Sequence, residues 1–209
     1  MSKELDGLSI AHFHDLALET PESDHVASTA CFGPWHWIAE NHCYNSRLWQ
    51  EEDKARRTDV DDAEIAGSKR LIDQYNQKRN DAIEALDESI LMELGNIQPG
   101  ENMRLNSETA GAMIDRLSIL ALKIYHMREQ TERSDASPDH IEACRDKLER
   151  LNTQRQDLIG CLDELLAEVA EGHAYFKVYR QFKMYNDPTL NPYLYQQQPP
   201  RENAGRVTH

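Results

Sequence analysis

The sequence has no long apolar run. No stretch approaches the ~18 consecutive apolar residues that a membrane-spanning helix needs. The first ten residues, MSKELDGLSI, also lack the charged and then apolar order of a secretory signal peptide. From these absences we expect a protein that is not inserted into a membrane and that works in the cytoplasm.

Motifs for nucleotide cofactors and for a catalytic serine are missing as well. The sequence contains neither GxGxxG nor GxSxG, and it lacks the phosphate-binding GxxxxGK followed by Ser or Thr. The four cysteines are widely spaced and form neither a CxxC pair nor a zinc-finger pattern: Cys31, Cys43, Cys144 and Cys161. We expect reduced core thiols, no cofactor and no metal, although a metal site formed by His42, Glu52 and Asp73 remains an alternative.

Basic residues are fewer than acidic ones. The 209-residue chain contains 37 Asp and Glu against 23 Lys and Arg, which gives a formal net charge of -14 at pH 7. A protein of this charge is repelled by phosphate backbones, so we expect no sequence-independent binding of nucleic acids. Length and composition predict one helical domain over residues 1–195 and a disordered tail over residues 196–209.

Proline and glycine divide the chain into long helices, because each residue disfavours a helix interior. The apolar periodicity predicts these spans: 8–18, 35–57, 62–94, 108–132, a helix that starts at Pro138, and a last short helix in the aromatic and basic segment 175–185. Asn106 and Ser107 are the expected N-caps of the third long helix, and Ser137 is that of the fourth. The predicted fold is all-α, an elongated bundle of about four long helices with short terminal helices and no sheet.

The third and fourth long helices carry most of the predicted core. The third should be enclosed by its neighbours, because its apolar residues point around more than one face. The fourth has an apolar seam at spacings of three and four that Arg155 alone interrupts: Ile141, Cys144, Leu148, Leu151, Leu158, Leu162, Leu165 and Val169. Such a seam favours antiparallel packing of the coiled-coil type, within the chain or between two copies. We favour packing within the chain and also expect a homodimer.

The first two long helices carry polar residues where a stripe facing the core is expected. On the second, Asn76 to Asn80 interrupt a stripe that is apolar on both sides. Together with charged residues of the third helix, these residues form a candidate ligand-binding polar cluster: His42, Asn45, Trp49, Glu52, Arg56, Lys69, Asp73, Asn76, Asn80, Asp115 and Arg116. His126, near the end of the third helix, is interpreted as a packing or capping residue.

Two interpretations of this cluster remain open. In the first, the residues form a solvated face with ordinary pairs such as Glu52 with Arg56, each worth ~0.2–0.5 kcal/mol. In the second, they line a buried pocket, since a buried polar group without a partner costs ~1–3 kcal/mol and is seldom kept without a role. The second interpretation requires that Asn76 is buried.

Several long strings in the sequence resemble one known family over most of the chain. They are NSRLWQEEDKARR from Asn45, KRLIDQYNQKRNDAIE from Lys69, NSETAGAMIDRLSILALKIYHM from Asn106 and QFKMYNDPTLNP near the C-terminus. With them the chain resembles the family catalogued as domain of unknown function 4254. The resemblance implies no established activity, but members tend to be encoded near glycosyltransferase and lipopolysaccharide genes. It therefore implies a cytoplasmic role in envelope-glycan assembly.

The leading functional hypothesis is an accessory or scaffold protein for glycan-synthesis enzymes of lipopolysaccharide biosynthesis, which binds a sugar or phosphosugar in the polar cluster. The alternative is a small enzyme acting on an anionic sugar-linked substrate. In it, Arg56, Lys69 and Arg116 would clamp the anion, and His42 or Glu52 would transfer the proton. A third hypothesis is a dimeric interaction module without a small ligand. Convergence of these side chains in one pocket would distinguish the first two from the third.

Overall fold

The computed structural model describes residues 5–20, 33–95, 99–181, 184 and 187–195. The elements in this part of the chain are Gly7–Glu19 (α1), Pro34–Lys54 (α2), Asp62–Glu93 (α3), Arg104–Leu105 (β1), Ala110–Thr131 (α4), Pro138–Ala170 (α5), Ala174–Tyr175 (β2) and Pro192–Tyr195 (α6). The all-α class is confirmed, and each long helix ends within a few residues of its predicted span. No helix among these residues is long and apolar enough to cross a membrane.

The chain divides into two compact units, Met1–Val178 and Tyr179–His209. The first contains α1 to α5 and the two strands, and the second contains the short helix α6. The predicted disordered tail, residues 196–209, lies outside the described residues.

Side-chain caps set where most of the helices begin. Asp61 accepts a hydrogen bond from the backbone N–H of Glu64 at the start of α3, and Ser137 accepts one from His140 at the start of α5. The predicted cap at Ser137 is thus confirmed. The predicted caps of α4, Asn106 and Ser107, are wrong, because α4 begins after Thr109, which caps Ala112.

The helix α4 lies at the centre of the bundle, in contact with α1, α2, α3 and α5. Its core residues Ile114 and Leu117 are completely buried, and Ile124 is 1% exposed. This agrees with the prediction that the third long helix is enclosed. The short connections between α2 and α3 and between α4 and α5 make each pair antiparallel neighbours.

The helix α1 packs along one half of α5 in the opposite direction. The backbone N–H of Gly7 donates to Oδ1 of Asp163 at 2.7 Å, and Nη1 of Arg155 binds both carboxylate oxygens of Asp15 at 2.8 and 2.9 Å. Arg155 interrupts the apolar seam of α5 because this position faces the Asp15 carboxylate, not a second apolar helix.

The structure contains a small sheet that the sequence did not predict. Strands β1 and β2 pair in parallel, with Arg104 opposite Ala174 and Leu105 opposite Tyr175. The helix predicted for residues 175–185 is wrong over its described part, because Tyr175 lies in β2 and residues 176–181 have no regular secondary structure. Gly172, at φ 74°, turns the chain out of α5 and into the strand.

Gly111 marks the closest approach of α4 to α3. A Cβ atom on this residue would lie 2.8 Å from the carbonyl oxygen of Ile83 and 2.8 Å from Oδ1 of Asp87. The same Asp87 oxygen accepts the backbone N–H of Gly111 at 2.6 Å. Because one of the two obstacles is backbone, a side chain at position 111 must push the helices apart.

We predict that Gly111→Ala lowers the free energy of unfolding by about 1–3 kcal/mol, the usual cost of overpacking a core. Gly160→Ala is the matched control, since nothing lies within 4 Å of its added Cβ. The control should gain up to ~1 kcal/mol from the higher helix propensity of alanine. Urea denaturation followed by circular dichroism measures both, and equal midpoints for the two variants would contradict the prediction.

Candidate functional site

Four buried polar side chains join α2 to α4 in the middle of the bundle. Oδ1 of Asp115 accepts hydrogen bonds from Nδ2 of Asn41 at 2.8 Å and from Nδ2 of Asn45 at 2.9 Å. The Asn45 amide also donates to Oγ of Ser118 at 3.0 Å. None of the four residues is more than 9% exposed. We call these four residues the polar core.

Helical spacing brings the polar core together. Asn41 and Asn45 are one turn apart on α2, and Asp115 and Ser118 are one turn apart on α4, so each pair shares a helix face. The sequence predicted Asn45 and Asp115 as site residues and missed Asn41 and Ser118. Both missed residues could have been found from this spacing, because Asn41 lies one helical turn before Asn45 and Ser118 lies one turn after Asp115.

Two stacked histidines extend the polar core toward α1. The rings of His14 and His42 lie 4.6 Å apart at an interplanar angle of 23°, and Nδ1 of His42 is 2.8 Å from Oγ of Ser118. Among the described residues, both ring nitrogens of His14 and Nε2 of His42 have no hydrogen-bond partner. The sequence missed His14, which is a polar residue beside Ile10 and Phe13 on the buried face of α1.

Burial keeps both histidines neutral at pH 7. It lowers the pKa of His42 from 6.5 to about 4. Burial also holds the pKa of His14 well below its usual range, with smaller contributions from the neighbouring His42 and Arg155. His14, whose ring has no hydrogen-bond partner among the described residues, is a neutral packing group, and His42 is held in place by Ser118 and by the His14 ring.

A cavity of about 310 Å³ lies between α2, α3 and α4, next to the polar core. Its polar wall includes Asn45, Glu52, Asp53 and Arg56, and Arg79 closes it from α3. We call this cavity the Arg79 pocket. Nε of Arg79 lies 4.0 Å from Oδ1 of Asp115 and has no hydrogen-bond partner among the described residues.

At the mouth of this pocket, Glu52 holds two cations. Its Oε2 lies 2.8 Å from Nη1 of Arg56 and 3.7 Å from Nζ of Lys69. Because Lys69 and Arg56 are exposed, these pairs are screened by water and add little stability. This half of the predicted cluster therefore matches the interpretation of a solvated face.

A larger open cavity of about 820 Å³ lies between α2, α4 and the middle of α5. The indole of Trp49 forms one wall, stacked on His126 with ring centroids 4.6 Å apart and an interplanar angle of 11°. Lys123, Lys147 and Arg150 bring three cations to its walls, against the carboxylates of Asp53 and Asp157. We call it the basic groove.

The basic groove lies along a different part of α5 from most of the α1 contact. A helix of 13 residues is about 20 Å long and one of 33 residues about 50 Å, so α1 covers only part of α5. α1 contacts α5 from Asp163 to Arg155, whereas the groove is lined by residues 147–157 of α5, mostly on the N-terminal side of Arg155.

The remaining predicted site residues do not converge. Asn80 is buried, but Asn76, which was predicted to be buried, is half-buried, and Asp73 is exposed. The prediction for Asn76 is wrong because α3 packs mainly against α2, which leaves the edges of its polar stripe open to solvent. Arg116 is exposed and pairs with Glu108 at 2.8 Å, and it lines neither cavity.

The predicted catalytic arrangement is also not assembled. Of the three expected anion clamps, Arg56 and Lys69 share Glu52 and Arg116 is held by Glu108. His42 is 4% exposed and lines neither cavity. Among the described residues, no three His, Cys, Asp or Glu side chains come together in a way that could hold a metal ion.

Comparison with known proteins places the chain in one family. The family described as protein of unknown function (DUF4254) matches residues 35–178, and the chain belongs to it. No curated protein and no solved structure matches the chain significantly. The matched segment contains every described residue that lines the Arg79 pocket and the basic groove, whereas α1 precedes it.

Proposed function

We propose that this member of the family is an accessory protein of envelope-glycan assembly that binds a phosphorylated sugar in the basic groove without transforming it. The observation that carries the binding proposal is the convergence of Lys123, Lys147 and Arg150 beside the Trp49 indole. The part about envelope glycans rests on the family resemblance. The expected cytoplasmic location and the partnership with glycan-synthesis enzymes belong to the same proposal.

The three cations of the groove suit a phosphate group. Neither Lys123 nor Lys147 forms a salt bridge with a carboxylate in the described part of the chain. Nε of Arg150 donates to the carbonyl oxygen of Asp146 at 3.1 Å, which leaves its terminal nitrogens for a ligand. On a chain of net charge -14, a local excess of positive charge attracts phosphate where the rest of the surface repels it.

The wall of the groove suits a ring. The stacked Trp49 and His126 form a rigid flat surface, and Met127 and Leu151 add apolar contacts beside it. A binding site of this kind combines apolar walls with a few polar groups that fix the orientation of the ligand. A sugar ring linked to a phosphate matches both features.

Binding without chemistry is supported by the positions of the titratable groups. The neutral His14 and His42 are enclosed in the core, and Asp115 is bound by two amides of the polar core. Glu52 holds Arg56 and Lys69. None of these groups lines the basic groove; the titratable groups that do include the carboxylates of Asp53 and Asp157 and the ring of His126, which is stacked on Trp49 and lies 2.8 Å from Oε2 of Glu129.

Isothermal titration calorimetry with glucose 1-phosphate, glucose and inorganic phosphate tests this proposal. We predict that glucose 1-phosphate binds more tightly than either of its parts. Arg150→Gln should weaken this binding about tenfold to a hundredfold, because a charged hydrogen bond to phosphate is worth roughly 1.5–3 kcal/mol.

Arg145→Gln is the matched control for this titration. Arg145 is on the same helix, exposed and paired with Glu142 at 3.5 Å, and it lies outside the groove. Its substitution should leave the affinity for glucose 1-phosphate unchanged. No heat of binding with glucose 1-phosphate, or an equal loss in the Arg145 and Arg150 variants, would refute the proposal.

A further inference from the structure

We infer that the ligand is a nucleoside diphosphate sugar, whose base and diphosphate occupy the basic groove and whose sugar enters the Arg79 pocket. This inference rests on the proposed function: it keeps the phosphate in the basic groove, but it places a base against Trp49 and moves the sugar ring into the Arg79 pocket. Trp49 and Asp53 line both cavities. The two cavities are therefore adjacent, with these side chains as their common border, and the inferred ligand would extend across this border.

The size of the groove favours a ligand larger than a hexose phosphate. Cavities that enclose drug-sized ligands have volumes of about 300–1,000 Å³. The basic groove, at about 820 Å³, lies in the upper part of this range, whereas the Arg79 pocket, at about 310 Å³, lies at its lower end. The larger cavity thus suits the nucleotide and the smaller one a single sugar ring.

The groove has the groups that recognise a nucleobase. Trp49 and His126 form a stacked aromatic pair, and bases stack favourably on the faces of aromatic side chains. Gln130 and Gln154 line the same groove. The Gln154 amide offers both donors and an acceptor, whereas Oε1 of Gln130 already accepts from Nη1 of Arg133 at 3.1 Å and its amide nitrogen remains as a donor for the edge of a base. A simple sugar phosphate would use neither feature fully.

The charge of the groove matches a diphosphate. Lys123, Lys147 and Arg150 supply three positive charges against the carboxylates of Asp53 and Asp157, so the groove keeps an excess of positive charge that is spread over two helices. A diphosphate bridge presents several oxygen acceptors along its length, so cations from α4 and α5 can bind it at the same time.

The Arg79 pocket suits a neutral ring with hydroxyl groups. Acidic Glu52 and Asp53 face basic Arg56 and Arg79, so the wall has no excess charge that would select an ion. Hydroxyl groups can donate to the carboxylates and accept from the guanidinium groups. Nε of Arg79 is buried and has no hydrogen-bond partner among the described residues. Because Nε faces Asp115 and is enclosed, a sugar hydroxyl would bind the exposed part of the guanidinium that lines the pocket.

Calorimetry on the full-length chain tests the inference with UDP-glucose, ADP-glucose, the two free nucleoside diphosphates and glucose 1-phosphate. At least one nucleotide sugar should bind tenfold or more tightly than glucose 1-phosphate, and more tightly than its own nucleoside diphosphate. If glucose 1-phosphate binds and no nucleotide binds more tightly, the inference is overturned and the proposed function stands. If none of these probes binds, both are overturned.

Two variants test the position of the sugar. Ile119→Trp should fill the Arg79 pocket, because Ile119 is half-buried in its wall. It should reduce the affinity for the nucleotide sugar to that for the nucleoside diphosphate, with Ile119→Val as the control that changes neither affinity.

Arg79→Lys, which replaces the guanidinium by an ammonium group and keeps the charge, serves if the tryptophan variant does not fold. It should weaken the binding of the nucleotide sugar about fivefold and leave the binding of the nucleoside diphosphate unchanged. Equal weakening of both ligands would overturn the inference.

Discussion

Replacing Asp115 with alanine is expected to lower the free energy of unfolding by about 3–5 kcal/mol, the cost of breaking a buried charged network at one partner. The carboxylate accepts the amides of Asn41 and Asn45 and lies 4.0 Å from Nε of Arg79. Without it, the buried amide of Asn41 loses its acceptor, that of Asn45 loses one of its acceptors, and the guanidinium of Arg79 loses the opposite charge beside it. Each such unsatisfied group costs roughly 1–3 kcal/mol.

Two further substitutions separate the network from the position in the helix. Asp115→Asn keeps one carbonyl acceptor and removes the charge, so the loss should be smaller, about 1–3 kcal/mol. Arg116→Ala removes the next residue, which is exposed and bound to Glu108, and should cost no more than about 1 kcal/mol. Urea denaturation measures all three, and equal midpoints for Asp115→Ala and Arg116→Ala would contradict the role of the polar core.

The helices could be predicted from the sequence because their signals are local. Ser137 followed by Pro138 marks the start of α5, and the seam from Ile141 to Val169 marks its buried face. The interruption of that seam at Arg155 could be seen, but its partner could not. Asp15 lies on a separate helix, and no spacing rule connects two residues that are 140 positions apart.

The polar cluster could be recognised, but the sequence could not divide it into buried and solvated parts. Asn45 and Glu52 are two turns apart on one helix face and look equivalent in sequence. In the structure α4 covers Asn45, whereas Glu52 lies where α2 nears its end and reaches two exposed cations. Which end of a helix face is covered depends on how the helices are arranged, and periodicity does not contain that information.

The basic groove is the part of the candidate site that sequence reasoning missed. Its cations, Lys123, Lys147 and Arg150, occur on helices where charged residues usually mean a solvated face. They surround a cavity because one face each of α2, α4 and α5 comes together there. The sequence shows the faces of single helices but not which faces of separate helices meet.

The buried histidines predict a protein that loses stability in mild acid. The pKa of His42 is lowered from 6.5 in the unfolded chain to about 4 in the fold, so below pH 6.5 the unfolded state binds the proton more readily. The contribution of His42 to the free energy of unfolding is therefore fully present above pH 6.5 and is lost progressively as the pH falls to about 4. This difference in pKa corresponds to about 3 kcal/mol, and His14, whose pKa is lowered as well, adds to it.

Asp87 acts in the opposite direction. Burial raises its pKa from 3.8 to about 6, against the lowering effects of Thr109 and of the Gly111 N–H. Between about pH 6 and pH 3.8 the folded state therefore holds a proton that the unfolded state releases. Acid adds about 3 kcal/mol of stability through this group. The stability that acid adds through Asp87 thus offsets about what it removes through His42. Because His14 adds a second loss, we expect the free energy of unfolding to fall in acid.

The two opposing groups allow a test with variants of opposite sign. His14→Leu removes a titrating ring and two unpaired nitrogens at similar volume, so it should be at least as stable as the wild type at pH 7 and lose less stability in acid. Asp87→Asn removes the protonation that favours the fold and should steepen the acid loss by about 3 kcal/mol. Free energies of unfolding from urea titrations at a series of pH values between 7 and about 4 measure these slopes. If both variants lose stability with pH as steeply as the wild type, neither His14 nor Asp87 is linked to folding. The two groups act in opposite directions, and each variant removes only one of them, so the effects cannot cancel within a single variant.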